Sequence, residues 1–349
     1  MNVLTRYGGV TLSSLSVGSR VIAGDDVRQP NLSGDEALIT SIEIGEKDLY
    51  KITLTDGTEL ERGLDSLWQV KEESASIWSI VVLDELLTWF PNKIDPYYCA
   101  CSSNPYIKAR YEIRQVQYYI PFSNILLDSI PPYWIGVFAT KGCLEGPEPF
   151  LYLDREEASR IRDQGSWDFI LMEPYTTTPD KYFFRSYTYI NERSKLSIEL
   201  ENLGLLFKSK EERLIHNSYI YSDFRDRVNL IQGIMDSVGY IDPITGISIA
   251  LLSNQGIAKQ LEFIVRTLGG TTTTYYDSKV REYLVSVYLP RTETPFSRPS
   301  LVNRYTYFEP KLTPIYIESI ERLDERGLVT SINLENNQPY ITDEFLVIY

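Results

Sequence analysis

Over the first 75 or so residues, apolar and polar positions alternate in short runs, the period of strands half-buried against a core. Val10-Thr11-Leu12, Ser19 to Ala23, Ala37 to Ile42 and Leu49 to Leu54 are β-branched and apolar, and Asp25-Asp26 and Asp56-Gly57 mark turns. The runs flanking Asp56-Gly57 predict a hairpin. Ser79 to Phe90 is mainly apolar and predicts a helix ended by Pro91, with a loop from Pro96 to Pro105 behind it. Pro131 to Leu144 predicts a helix opened by proline, followed by a strand at Phe150 to Leu153 and a helix from Asp154 to Arg162. A hairpin near 168–190 and a helix from Leu196 to Leu206 complete this stretch.

A second stretch repeats the order. Leu230 to Val238 is an apolar helical run with a glycine in its middle, Gly239-Tyr240 stops it, and Gly246 to Leu252 is β-like. A helix from Ile257 to Leu268, strands at 271–276 and 282–289 and a Pro-rich loop near 290–299 follow. Gly136 lies six residues before Gly142, and Gly233 stands at the same interval from Gly239. A small residue in mid-helix lets two helix backbones approach closely. Two helix–strand–strand–helix copies about a hundred residues apart form an internal repeat. Residues 312–349 return to β, with Ile315 to Ile320 and Leu328 to Leu334 predicted to flank a hairpin turn at Asp324-Glu325-Arg326-Gly327.

Composition narrows the classes. The 349 residues suffice for two or three domains, and 43% hydrophobic with 23% charged residues is ordinary for a globular chain. No apolar run of about 18 residues is present, so no membrane span is expected, and the N-terminus lacks the blocks of a signal peptide. Three cysteines, Cys99, Cys101 and Cys143, are too few and irregular for a disulfide framework. Cys99 and Cys101 would need metal-binding partners, which the single histidine, His216, does not supply, and both read as ordinary thiols. Glu318, Glu321, Asp324 and Glu325 read as a solvated face. A reduced intracellular setting, host cytoplasm or virion, without metal or cofactor, is the expectation. Net charge of −14, from 48 acids against 34 bases, opposes a grip on a DNA backbone, while 26 tyrosines suit wide contact surfaces.

Several stretches resemble known families. Leu15-Ser16-Val17-Gly18-Ser19-Arg20-Val21 is similar to the L-x-x-G-x-x-V entry of Hint (hedgehog/intein) domains, and Tyr50 to Leu60 to their following hairpin. Pro339 to Val347 resembles the last intein strand. Pro131 to Leu144 and Leu230 to Asp242 resemble the paired signature helices of LAGLIDADG homing endonucleases carried inside inteins. Leu203-Gly204-Leu205-Leu206-Phe207-Lys208, Ile215 to Ile220 and Arg227, leading into the second helix, match flanking elements.

The resemblance implies a fold, α+β, in which a split all-β Hint-like domain (1–75 and 312–349) carries an inserted pseudo-twofold double repeat. Residues 76–118 would be a linker or accessory segment, and the repeats would span 119–222 and 223–311. It also implies where chemistry would sit. A Thr-x-x-His histidine falls at Ser66, in Gly63-Leu64-Asp65-Ser66, and a serine lacks comparable acid/base capacity. The N-terminal nucleophile would precede Tyr7-Gly8-Gly9, where the chain reads Met1-Asn2-Val3; the closing His-Asn gives way to Ile348-Tyr349. The Mg²⁺-binding acids fall at Lys141 and Val238, neither of which can coordinate a hard cation. Asp236 lies about 200° round the helix from Val238, and Glu145 and Asp242 lie beyond the helix ends, so rescue of the metal site is not expected.

The reading is therefore of a pseudoenzyme: both chemistries lost, with Gly136, Gly142, Gly233 and Gly239 kept as the packing seam and stops of the two interface helices in a scaffold that binds protein partners. By analogy with inteins in bacteriophage genes, a virion or assembly component is the expected context. The alternatives are a non-cleaving DNA-binding protein, a nuclease with a displaced metal site, and a trimmed intein; end-trimming would not create the Gly63 and Ser66 departures.

Overall fold

The computed structural model describes residues 2–24, 34–89, 110–116, 119–124, 126, 130–163, 171–174, 181–185, 189–190 and 193–348. The chain forms two compact units, one from Met1–Val116 with Leu312–Tyr349 and one from Gln117–Lys311.

In the first unit, β1 (Asn2–Thr5) and β2 (Gly8–Thr11) form a hairpin, and β3 (Arg20–Ile22) pairs with the start of a 19-residue strand, β4 (Glu36–Leu54). β5 (Glu59–Gly63) folds back on the end of β4 through a turn in which Gly57 takes φ +86° and Asp56 accepts from the Thr58 amide. That left-handed position is open to glycine at no steric cost. β6 (Leu67–Glu72) pairs with β7 (Ser79–Val82), α1 (Leu83–Trp89) follows, and β8 (Tyr111–Ile113) returns to β6. The helix expected over Ser79–Phe90 is thus strand for its first four residues: Ile80, Val81 and Val82 are β-branched, and the partner strand β6 wins over helix propensity.

The second unit contains two copies of one element order, the second with an added strand after its first helix. The first is α2 (Pro132–Lys141), β9 (Leu151–Asp154), α3 (Arg155–Asp163), β10 (Leu171–Pro174) and β11 (Lys181–Arg185). Short strands β12 (Tyr189–Ile190) and β13 (Arg193–Ser194) and helices α4 (Lys195–Asn202) and α5 (Asn217–Ile220) connect it to the second copy. That copy is α6 (Phe224–Val238), β14 (Gly239–Ile241), β15 (Ser248–Leu252), α7 (Gln255–Thr267), β16 (Thr271–Asp277) and β17 (Glu282–Tyr288), with a short α8 (Pro299–Val302) behind it. In both copies the strand before the second helix pairs with the last strand of the following hairpin: β9 with β11, β15 with β17. One apolar core, including Trp134, Phe138, Leu230, Ile234, Leu261 and Val285, serves both copies. α6 begins at Phe224, so Arg227 lies inside the helix instead of leading into it; Asp223 caps the helix by accepting from the Asp226 amide at 2.9 Å.

The chain returns to the first unit as β18 (Ile317–Leu334), β19 (Tyr340–Ile341) and β20 (Val347–Ile348). β18 runs antiparallel to β4 along nearly its whole length. The turn expected at Asp324–Gly327 is instead a bulge in one continuous strand, with register jumping between Arg322↔Tyr50 and Arg326↔Asp48. Charged residues crowd there because the middle of the ribbon is exposed, and Arg322 and Arg326 both reach the Asp48 carboxylate, at 2.9 and 3.4 Å. Ile39, Ile52, Trp68, Val70, Ile113, Ile332 and Leu346 belong to the core of this unit.

Candidate functional site

The candidate site is the seam between α2 and α6. Proline at the first turn of α2 and the apolar run Tyr133–Ala139, all buried, make a helix with no solvated face in that stretch. A Cβ on Gly136 would stand 2.5 Å from the Leu230 carbonyl and 2.7 Å from the Ile234 nitrogen; one on Gly233 would stand 2.0 Å from the Tyr133 carbonyl. The two backbones touch, and any side chain at these positions would force them apart. Gly142 and Gly239 do a different job: their absent Cβ atoms would strike the Phe138 and Met235 carbonyls of their own helices, at 2.6 and 2.4 Å. Both donate their amides to those carbonyls and turn the chain out into extended backbone. The four glycines thus divide into two contact glycines and two stops. Thr140 donates its hydroxyl to the Gly136 carbonyl at 2.8 Å, and Ser237 donates to the Gly233 carbonyl at 2.7 Å, so the copies share this detail too.

At the helix ends, the two positions matched to metal-binding acids differ in fate. The Lys141 ammonium lies 2.8 and 2.7 Å from the two carboxylate oxygens of Glu157, which is almost fully buried at the start of α3. Arg298 approaches the same carboxylate at 3.6 Å and holds Asp154 at 2.6 Å. Lys141 is therefore neutralised by an ion pair and does not stand opposite Val238 as a free charge. Val238 borders a cavity of about 100 Å³ together with Thr140, Lys210, Asn254 and Glu282.

Asp236 points away from that cavity into the protein. Its carboxylate accepts from the Tyr133 hydroxyl at 3.0 Å, the Ser297 hydroxyl at 2.5 Å and the Ser297 amide at 3.1 Å. Burial pushes its pKa above the usual carboxylate range, against these hydrogen bonds, and burial together with the Asp236 charge raises the Tyr133 phenol. Asp236 thus joins α2, α6 and the loop before α8. Asp242 spends its carboxylate on the next turn, accepting from the Ile244 and Thr245 amides at 2.9 and 2.7 Å, which hold its pKa low. Glu145 is exposed. Among the described residues no group of three His, Cys, Asp or Glu side chains could hold a metal ion.

The remaining sequence candidates fall apart in space. Ser66 donates to the Gly63 carbonyl at 2.8 Å and accepts from the Trp68 indole at 3.0 Å, so its hydroxyl fixes a turn. His216 caps α5, its Nδ1 accepting from the Ser218 amide. Cys143 is a free thiol, and Glu318, Glu321, Asp324 and Glu325 lie exposed along β18. Cys99, Cys101 and Tyr349 lie outside the described residues.

Two arginines have roles that the sequence does not disclose: Arg213 goes unmarked, and Arg227 reads only as the approach to the second helix. Arg227 is fully buried, donates to the Ile120 carbonyl at 2.8 Å and the Thr267 carbonyl at 3.3 Å, and stacks over Phe122; burial lowers its pKa to about 10. Arg213, also buried, donates to the Gly142 carbonyl at 2.8 Å, where the negative end of the α2 dipole lies. Both serve backbone carbonyls far away in sequence, which no local pattern announces.

The sheet of the second copy has order β14-β15-β17-β16. Val285 and Val287 face α7, and by the pairing register Tyr240, Ile249, Leu251, Leu284, Ser286 and Tyr275 share the opposite face. Not one lysine or arginine occurs in the four strands, and Glu282 and Asp277 pair at the end of the opposite face.

No family model matches the chain, and no curated protein does. Among solved structures, weak similarity over about half the chain is found to LAGLIDADG proteins. I-DmoI in complex with DNA and Mn is 13% identical, with 45% of this chain and 88% of that one covered at a TM-score of 0.31. Mesophilic variants of the homing endonuclease I-DmoI are 14% identical, covering 50% and 93% at 0.32. The N-terminal LAGLIDADG domain of DUF199/WhiA is 6% identical, covering 45% and 73% at 0.27.

Proposed function

We propose that the second unit is a LAGLIDADG-type double repeat that no longer cleaves DNA and is retained as a protein-binding scaffold, with a Hint-like first unit that no longer splices. The observation that carries this is the open face of the second-copy sheet: tyrosines, aliphatics and hydroxyls, two paired acids, and no cation in any of its strands. A surface that tracks phosphates must neutralise them, whereas half-buried tyrosine and aliphatic side chains suit a protein partner. Lys141 held by Glu157 and Val238 in the other copy leave no carboxylate pair for Mg²⁺. Ser66, tied into its own turn, offers no base for acyl transfer. The scaffold reading extends, by analogy with inteins in phage genes, to a role in virion assembly.

Incubation of the full chain with supercoiled plasmid in Mg²⁺ or Mn²⁺ tests the loss of cleavage: the plasmid should stay intact. Nicking abolished by Asp242→Asn or Glu145→Gln would favour a displaced metal site. A second reading, DNA binding without cleavage, is favoured by one feature: strand β11 of the first copy begins on Lys181 and ends on Arg185.

A further inference from the structure

The first unit carries an interrupted sheet edge. On the side of β4 away from β18, β3 pairs with Glu36–Leu38 and Ser19 bonds Ile39; pairing resumes only at Leu49, opposite Gly63 of β5. Among the described residues no strand pairs with Thr40–Glu46 on that side. The notch is bounded at one end by β3 and at the other by the Lys47–Asp65 ion pair. It lies along the exposed middle of the ribbon, where Ile44 is 64% and Leu328 78% exposed on one face, one pairing step apart. Backbone donors and acceptors along such an edge are a template for another strand, and proteins ordinarily blunt them.

A cavity of about 950 Å³ in the same unit is lined by Glu43 of the notch and by residues at its β5 end, among them Leu49, Gly63 and Asp65. That volume is at the upper end for a ligand pocket. Its charged lining is five carboxylates (Glu43, Glu59, Glu61, Asp65, Glu344) against two cations, Lys51 and Arg62. Lys51 is paired with Glu59 at 2.6 Å. On the ribbon the cations are likewise committed: Arg322 and Arg326 to Asp48, with Arg326 also donating to the Glu46 carbonyl at 3.0 Å. Glu43 and Glu46 stay exposed in the notch itself.

We propose that Thr40–Glu46 of β4 is a strand-addition site for an extended segment of a partner protein whose lysine or arginine side chains alternate with apolar ones. Backbone pairing along the notch supplies the binding, and side chains of one parity place cations over Glu43 and toward the acid-lined cavity while apolar side chains of the other parity cover Ile44 and Leu328 on the opposite face. The site is independent of the seam between α2 and α6, and stands or falls without regard to DNA.

The test uses the full chain and a fluorescein-labelled decapeptide alternating lysine and valine, read by anisotropy and by amide hydrogen exchange. Saturable binding should slow exchange at residues 40–46, and Glu43→Lys, at an exposed position, should weaken it at least tenfold. A glutamate–valine peptide, and a lysine–proline peptide that cannot pair as a strand, should bind at least tenfold more weakly. Failure of the lysine–valine peptide to bind, equal binding of the lysine–proline peptide, or binding without slowed exchange at 40–46 would each overturn the proposal. So would finding those amides already protected in the free chain, which would mean that the edge is filled by the chain itself or by a second copy.

Discussion

The α2–α6 seam and the β4–β18 ribbon are both long-range pairings of two elements, and they are held in opposite ways. At the seam, two backbones meet at Gly136 and Gly233 with no room for a methyl group, and every residue from Tyr133 to Ala139 is buried. Along the ribbon, two strands of 19 and 18 residues stay together by their ladder while the middle of each stays largely in water. The seam is specified by shape and tolerates nothing larger; the ribbon is specified by hydrogen bonds and tolerates most side chains. Binding surfaces belong on the second kind of element, where substitutions do not threaten the fold.

The comparison can be broken most forcefully at the seam. Gly233→Leu should abolish cooperative folding of the second unit, because even the Cβ would overlap the Tyr133 carbonyl; circular dichroism and thermal melts would show it. Leu328→Thr on the ribbon, at an exposed position, should by contrast shift stability by less than about 0.5 kcal/mol. Next in size is Arg227→Met. It leaves the Ile120 and Thr267 carbonyls without their donor, at a cost of about 2 to 4 kcal/mol in chemical denaturation. Lys141→Met should cost about 1 to 2 kcal/mol, since Glu157 keeps the Asp154 amide and Arg298 as partners. Lys141→Glu should cost more, by placing a second carboxylate against the first.

Sequence legibility follows the same division. The Gly136/Gly142 and Gly233/Gly239 spacing pointed to two equivalent helices because close approach leaves a glycine signature. Caps and turn residues placed the helix at Gln255–Thr267 and the hairpin at Asp56-Gly57 within a residue or two. The ribbon was misread as two hairpin arms because Asp324-Glu325-Arg326-Gly327 has turn composition, and composition cannot distinguish a turn from a bulge in an exposed strand. At the site, a valine without metal-binding capacity at position 238 was legible, but the partner of Lys141 was not. Glu157 sits sixteen residues away on α3, and Arg298 and Ser297 come from a loop whose sequence gave no hint of a buried network.

A further expected effect is one of pH. Burial, then the neighbouring Asp223 charge, raises the Asp226 carboxyl from 3.8 to about 6 in the first turn of α6. The folded state therefore binds this proton more tightly than the unfolded chain, and between about pH 4 and 6 this group makes stability fall as pH rises. Asp226→Asn should flatten that slope slightly, measurable as a smaller change in unfolding midpoint between pH 4 and 6.

The central claim, that the second unit keeps a double-repeat architecture without a DNA-directed surface, is tested most directly by affinity for duplex DNA at low salt. The full chain should show no saturable change in anisotropy with a labelled duplex of about 24 base pairs in about 20 mM salt, where phosphate contacts are strongest. A micromolar or tighter affinity that falls steeply as salt is raised would contradict it.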